Sequence, residues 1–228
     1  MRTGRLIFSA LILLAASNLT AAQDEVFQAA LKRGDQLVAR EDYRGAIKEY
    51  GYVKPIAGAL YAKATYNLGV CYYELWQTTE AIGFYRRAID LKQGNYPRAS
   101  YAMGIALEDI GKPAAARSAY EQAVSASQRK FAPAIYRLAL LEVQSGRIQE
   151  AAVLFREAAS RSGPHVPASH NNLGVMLARL GQMKDAEHEF ISAVKASGGR
   201  LSDAVYNLNL CRSLASNPTP AYKVSLID

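Results

Sequence analysis

Three histidines are the side chains best suited to hold a metal or move a proton: His165, His170 and His188. His165 and His170 lie close together, but no Cys, Asp or Glu joins them at ligand spacing. His188-Glu189 lacks the second His of a zinc-protease helix. They read as surface or turn residues, with no metal. Gly104 to Lys112 offers two glycines and a lysine, but the spacing is wrong for a phosphate loop, and Pro113 stands where a magnesium-binding Ser or Thr is required. Glu108-Asp109 is an acid pair, yet adjacent helical residues point apart, so the two carboxyls form no acid/base dyad. Cys71 and Cys211 have no electropositive neighbourhood to make a thiolate. No Gly-x-Ser-x-Gly elbow occurs. The sequence therefore carries no catalytic site and calls for no cofactor.

The elements that position these residues recur. Shifted by 35 residues, the chain matches itself repeatedly. One column reads Gly34, Gly69, Gly104, Ala139, Gly174, Asn209, preceded by Arg33, Leu68, Met103, Leu138, Leu173, Leu208. Twelve residues on stand Ala46, Ala81, Ala116, Ala151, Ala186. Then come Tyr50, Tyr85, Tyr120, Phe155, Phe190, and finally Val53, Ala88, Ala123, Ala158, Ala193. No insertion is needed, and units begin near 27, 62, 97, 132, 167 and 202.

Each unit reads as two helices. Leu68, Tyr72 and Leu75 fall at helical spacing within 62–75, and Ala81, Ile82, Tyr85, Ala88 and Ile89 within 79–91. Gly111, Gly146 and Gly181 end first helices, because glycine accepts the left-handed cap. Pro113 suits the first position of the helix that follows. Pro97, Pro133 and Pro167 open later units, where a missing N–H costs nothing. Helices approach closely only over small side chains, so the Gly and Ala columns let a hairpin close and the aromatic column fills the gap. One unit cannot bury this surface alone, so the units must stack.

These columns resemble the tetratricopeptide repeat, whose pattern runs W-x2-L-G-x2-Y, A-x3-F and a late P. Leu68-Gly69-x2-Tyr72 with Ala81-x3-Tyr85, and Leu173-Gly174 with Ala186-x3-Phe190, carry the likeness, which covers about 24–215. Departures are Thr65 and His170 for the Trp, Arg33 for Leu, Ala139 for Gly, and a period one residue longer. Pentatricopeptide repeats share the 35-residue period and read RNA, but the Gly, Ala and aromatic columns argue against them. The resemblance implies an all-α fold: an α-solenoid of five helical hairpins over 23–215, closed by a C-terminal capping helix from 202. Cys71 and Cys211 then share a column four units apart. Packed helices lie ~8–10 Å apart and a disulfide requires Cα atoms within ~7 Å, so both read as buried free thiols.

The resemblance also implies a peptide-binding trough lined by the first helices. Its inner columns carry Tyr66, Tyr101, Tyr136, Asn171 and Tyr206; then Asn67, Arg137, Asn172 and Asn207; then Val70, Ile105 and Leu140. Residues three or four apart share a helix face. Tyrosine offers a broad apolar face with a hydroxyl, and asparagine pairs with both N–H and C=O of an extended backbone. A tyrosine column that merely packs between helices is the alternative. Some relatives clamp a C-terminal carboxylate. Asn67 and Arg98 supply part of such a clamp, but Leu31 and Asp35 stand where Lys and Asn are wanted, so carboxylate capture is not expected.

The start of the chain has another task. Arg2 and Arg5, the apolar run Leu6–Ala16 and small residues to Ala22 form a secretory signal peptide, 1–22. The run is short for a bilayer span and no lipid-attachment Cys follows it. Cleavage leaves a periplasmic or secreted chain with no membrane insertion. It lowers the net charge from +7 to +5 as Arg2 and Arg5 are lost. The remaining basic residues are scattered among acids, and with export this excludes a nucleic-acid partner. An open trough is also a poor small-molecule site. Asn217-Pro218-Thr219-Pro220 opens a C-terminal tail, 216–228. The function expected is an exported, non-catalytic adaptor or scaffold holding a protein or peptide. The alternative is a structural, self-associating envelope protein.

Overall fold

The computed structural model describes residues 22–213; the segment expected to be a signal peptide, apart from Ala22, and the expected C-terminal tail lie outside them. The described residues are helical, with no strand among them, and none of their helices is long and apolar enough to cross a membrane. They form two compact units that divide after Gly94.

The first unit holds α1 (22–38), α2 (Tyr43–Gly51), a 3-10 turn (Pro55–Ala57), α3 (Ala59–Glu74) and α4 (Thr78–Leu91). The second holds α5 (Pro97–Asp109), α6 (Pro113–Ala126), α7 (Ala132–Gln144), α8 (Ile148–Ala159), α9 (Val166–Arg179), α10 (Met183–Ser197) and α11 (Ser202–Ser213). α1 pairs with α2, where Gly34 lies against the Tyr50 ring, and the other hairpins are α3/α4, α5/α6, α7/α8 and α9/α10. Within a unit each second helix packs on the next first helix: α2 on α3, α6 on α7, α8 on α9, and α10 on α11. Five hairpins and a closing helix are thus present. α3 opens at Ala59, earlier than the periodicity places it, because Gly58 at φ 52° turns the chain out of the 3-10 segment.

The columns explain the packing. Ala46, Ala81, Ala116, Ala151 and Ala186 are all 0% exposed, and Tyr50, Tyr85, Tyr120, Phe155 and Phe190 are no more than 2% exposed. Tyr50, Tyr85, Tyr120 and Phe190 each lie on the bare backbone of a partner glycine. A methyl at Gly34, Gly69, Gly104 or Gly174 would sit 2.4, 2.6, 2.3 or 2.6 Å from the ring of Tyr50, Tyr85, Tyr120 or Phe190. Burying one such side chain contributes about 1.5–3 kcal/mol. In the fourth hairpin Ala139 supplies the methyl, and its ring stands more steeply. Phe155 meets Tyr136 at 62°, whereas Tyr85 meets Tyr66 at 39° and Tyr120 meets Tyr101 at 44°.

Every first helix closes with the same cap. The residue after the C-cap is left-handed at Glu41, Trp76, Gly111, Gly146 and Gly181, with φ between 61° and 77°. The next N–H bonds back to the carbonyl five residues before, as from Gln77 to Tyr72 and from Lys112 to Leu107, at 2.9 Å. Glycine takes this conformation at no steric cost, yet two hairpins place Glu and Trp there. Trp76 is 91% exposed.

Candidate peptide-binding face

In the first unit Tyr66, Asn67 and Val70 of α3 are all half-buried on one face. Tyr66 leans on Tyr85 with centroids 5.8 Å apart. The Asp35 carboxylate ties three elements together. It accepts from the Tyr50 hydroxyl at 2.7 Å, from Asn67 Nδ2 at 3.0 Å and from Lys63 Nζ at 3.5 Å. Burial, then this carboxylate, pushes the Tyr50 hydroxyl far above its ordinary pKa, so it stays a donor.

The second unit carries the rest. Arg98 is exposed at the start of α5, and Tyr101 and Ile105 are half-buried beside it. Tyr101 packs on Tyr120 (5.7 Å) and edge-on to Phe131 (5.4 Å). The Tyr120 hydroxyl donates to the Glu108 carboxylate, and Arg137 of α7 reaches the same carboxylate at 3.9 Å. α5 and α7 therefore touch directly through charged side chains.

From α7 onward the columns are closed. Tyr136 is 2% exposed, Leu140 5%, and Asn171, Asn172 and Asn207 are 0%. Their polar atoms bond to one another. Asn172 Nδ2 donates to the Tyr136 hydroxyl at 3.1 Å, Asn171 Nδ2 to Asn172 Oδ1 at 3.1 Å, and Asn207 Nδ2 to Asn171 Oδ1 at 2.9 Å. Burial pushes the Tyr136 hydroxyl up to about 12, against the Asn172 hydrogen bond and the nearby Arg137 charge. The expectation that these asparagines line an open surface is corrected here. They form a buried amide seam joining α7, α9 and α11, because a buried amide must find partners and the 35-residue repeat sets amides from successive helices side by side. On α11, Tyr206 is 44% exposed. The wetted residues are thus Tyr66, Asn67 and Val70 in one unit, and Arg98, Tyr101, Ile105, Arg137 and Tyr206 in the other.

The chemistry-bearing side chains are occupied structurally. His170 Nδ1 meets Glu189 Oε2 at 2.7 Å. His165 is buried, which lowers its pKa, and His188 is exposed. Cys71 and Cys211 are both free and buried. Burial first, then Glu74 and Asp35, raises the Cys71 thiol to about 12, the opposite of an activated nucleophile. Among the described residues no three His, Cys, Asp or Glu gather as metal ligands. One cluster escaped the sequence reading: buried Glu142 accepts from Arg117 of α6 and from Arg147 in the α7–α8 turn. Only the five-residue spacing of Glu142 and Arg147 hints at it.

Solved structures share the fold. The chain is similar to the MamA protein at 20% identity, covering 86% of this chain and 98% of that one with a TM-score of 0.61. It is similar to YrrB, described as a TPR (tetratricopeptide repeat) protein with an unusual peptide-binding site, at 17% identity, covering 84% and 95% with a TM-score of 0.59. It is also similar to the Rap conjugation gene regulator of plasmid pLS20, solved with the Phr* peptide, at 22% identity, covering 85% and 59% with a TM-score of 0.53. No curated protein matches. One tetratricopeptide repeat model matches residues 27–99 and 136–200, and a second matches 97–130. With more than half of its length matched, the chain belongs to the tetratricopeptide repeat family.

Proposed function

We propose that this protein is a non-catalytic adaptor that holds an extended stretch of another polypeptide against the inner face of its first helices, and that it works in the periplasm or outside the cell after its export signal is removed. The observation that carries the reading is the set of partly wetted tyrosines, Tyr66 and Tyr101, each flanked by a polar and an aliphatic residue: Asn67 and Val70, and Arg98 and Ile105. A ring already propped against Tyr85 or Tyr120 loses little side-chain freedom when a ligand covers it. The Rap structure with its peptide and the peptide-binding site ascribed to YrrB support the same use of this fold. His165 and Cys71 are buried and His170 is paired with Glu189, which supports a role without catalysis.

The test is capture of crosslinked partners from cell-envelope extract by wild type, by Tyr66→Ala, and by Arg98→Glu with Tyr101→Ala. These side chains are chosen because Tyr136 is buried and its removal would damage the fold. Loss of partners from at least one variant, with unchanged thermal unfolding, is expected. Equal recovery from all three refutes the binding face. N-terminal sequencing of the protein recovered from the periplasm tests export: a mature chain starting at Gln23 is expected, and retention in the cytoplasm overturns it.

A further inference from the structure

The basic residues of the second unit are dispersed in sequence but gathered in space. Its α6–α7, α8–α9 and α10–α11 loops share one edge. Arg129 from the first loop and Arg161 from the second both pair with Glu157 at the end of α8, and one cavity joins the second loop to the third. Counted with the four helical residues on either side of each loop, this edge carries six cations against two carboxylates, Glu157 and Asp203. The three turns on the opposite edge, counted the same way, carry four cations against five carboxylates. Lys130, Arg156 and Lys195 are exposed and make no ion pair among the described residues, and exposed Arg200 donates only its Nε, to the Ser197 carbonyl at 3.1 Å. Arg156 and Lys195 suit the last turns of α8 and α10, where the helix dipole favours a cation. Lys130 and Arg200 lie just before α7 and α11, at the positive ends of those helices, where the dipole opposes one. Helix formation gives no reason for them.

We propose that this edge is a second docking surface, apart from the tyrosine face, and that it takes an acidic segment of a partner polypeptide, one apolar side chain of which enters the cavity while neighbouring carboxylates meet the cations. The cavity measures about 520 Å³. Pro164, Val166, Pro167, Ala196 and Leu201 give it apolar walls, and Arg200 lines it beside them. An apolar recess next to unpaired guanidinium and ammonium groups matches a leucine or phenylalanine set among glutamates or aspartates, because burial of the side chain and charge complementarity then act together. A planar lipid surface meets the cations but leaves the recess empty. The span also suits a short segment. Loops that follow the helix spacing of ~10 Å place the first about 20 Å from the third, which about six extended residues cross at ~3.3 Å each. The inference stands without the tyrosine face; a chain with both surfaces holds two polypeptides at once.

The experiment measures, by fluorescence anisotropy, the binding of two labelled peptides to the chain from Gln23 onward. One peptide repeats Glu-Glu-Leu-Glu-Glu twice; the other has Ser in place of each Leu. The leucine peptide is expected to bind about tenfold more tightly than the serine peptide, and both to weaken as salt rises. Lys195→Glu plus Arg200→Glu is expected to weaken the leucine peptide about tenfold or more. Ala196→Trp, which fills the cavity, is expected to bring it to the level of the serine peptide. Lys112→Glu plus Lys184→Glu, the same change of charge on the opposite edge, and Tyr66→Ala plus Tyr101→Ala are expected to leave binding unchanged. All four substituted lysine and arginine residues, and Ala196, are exposed, so the fold survives their replacement. No binding of either peptide, equal affinity for both, an equal loss from the opposite-edge variant, or a loss in the tyrosine variant overturns the proposal. So does sedimentation with phosphatidylglycerol vesicles that depends on Lys195 and Arg200 while the leucine peptide fails to compete, which would assign the edge to a lipid surface.

Discussion

Asn172 of α9 donates its Nδ2 to the hydroxyl of Tyr136 on α7 across 3.1 Å, a bond between residues 36 apart in sequence and both at most 2% exposed. It shows what a repeat does with a polar column: amides displaced by one period and one residue meet their neighbours instead of water. Removing one partner leaves the other buried without that bond, at a cost of about 1–3 kcal/mol. Asn172→Leu and Tyr136→Phe are each expected to lower the urea midpoint of the second unit. The double variant is expected to lose less than their sum, with a coupling of at least about 0.5 kcal/mol. Strict additivity in the denaturation cycle would show that the bond contributes nothing.

The ring-on-glycine contact yields a second cycle. Gly104→Ala drives a methyl toward Tyr120, 2.3 Å from Cε1, and is expected to cost about 1–3 kcal/mol. Phe155 accommodates Ala139 by standing at 62° to its neighbouring ring, a freedom Tyr120 lacks while its hydroxyl is held by Glu108. Gly104→Ala is therefore expected to cost less in a Tyr120→Phe background. A larger cost there, measured by thermal unfolding, would show that the hydroxyl does not fix the ring.

Trp76 occupies the left-handed cap position at φ 62° where Gly111, Gly146 and Gly181 stand in later hairpins. A side chain in that conformation costs about 1–3 kcal/mol relative to an unstrained one, and an indole 91% exposed returns little burial. Trp76→Gly is expected to raise the melting temperature. A lower value would reveal packing by the indole that outweighs the strain.

Stability is expected to fall in acid. Burial alone would raise the Glu142 carboxyl, but hydrogen bonds from Arg117 and Arg147 outweigh it and hold the group below its ordinary range. Hydrogen bonding from Arg129 lowers Glu157 likewise, with burial opposing. A carboxyl depressed in the folded state contributes stability that is complete above its unfolded pKa of about 4.3 and is lost as pH falls through the folded value. Glu142→Gln is expected to be less stable than wild type at pH 7, with the gap narrowing steadily below about pH 4. Parallel curves from pH 7 to 3 in urea melts would exclude this role for the carboxylate.

The architecture was legible because the same small-and-aromatic pairing is written five times without an insertion, so each copy corroborates the others: Ala81 with Tyr85, Ala116 with Tyr120, Ala186 with Phe190. The binding face was legible only as columns. Tyr101 and Tyr136 hold equivalent positions, yet one is half-wetted and the other closed, because Asn172 arrives from the next helix to take the Tyr136 hydroxyl while the Tyr101 ring stacks on Tyr120 and Phe131. A period says which side of a helix a residue occupies. What covers that side depends on the identity of residues one turn of the array away. The Trp76 cap was missed for a related reason, since a glycine at that position announces itself in sequence and a tryptophan does not.

The fit of ring to bare backbone has a genealogical consequence. Mating surfaces inside a hairpin are set by ring thickness and, in four hairpins, by the missing methyl, so each hairpin carries its own fit. Excision of 132–166 would remove one whole period and leave the ring-on-glycine pairs inside α5/α6 and α9/α10 matched. Within such an array, copies can be duplicated or dropped in whole periods, and its length is a quantity that descent can revise without disturbing the fit inside the hairpins that remain.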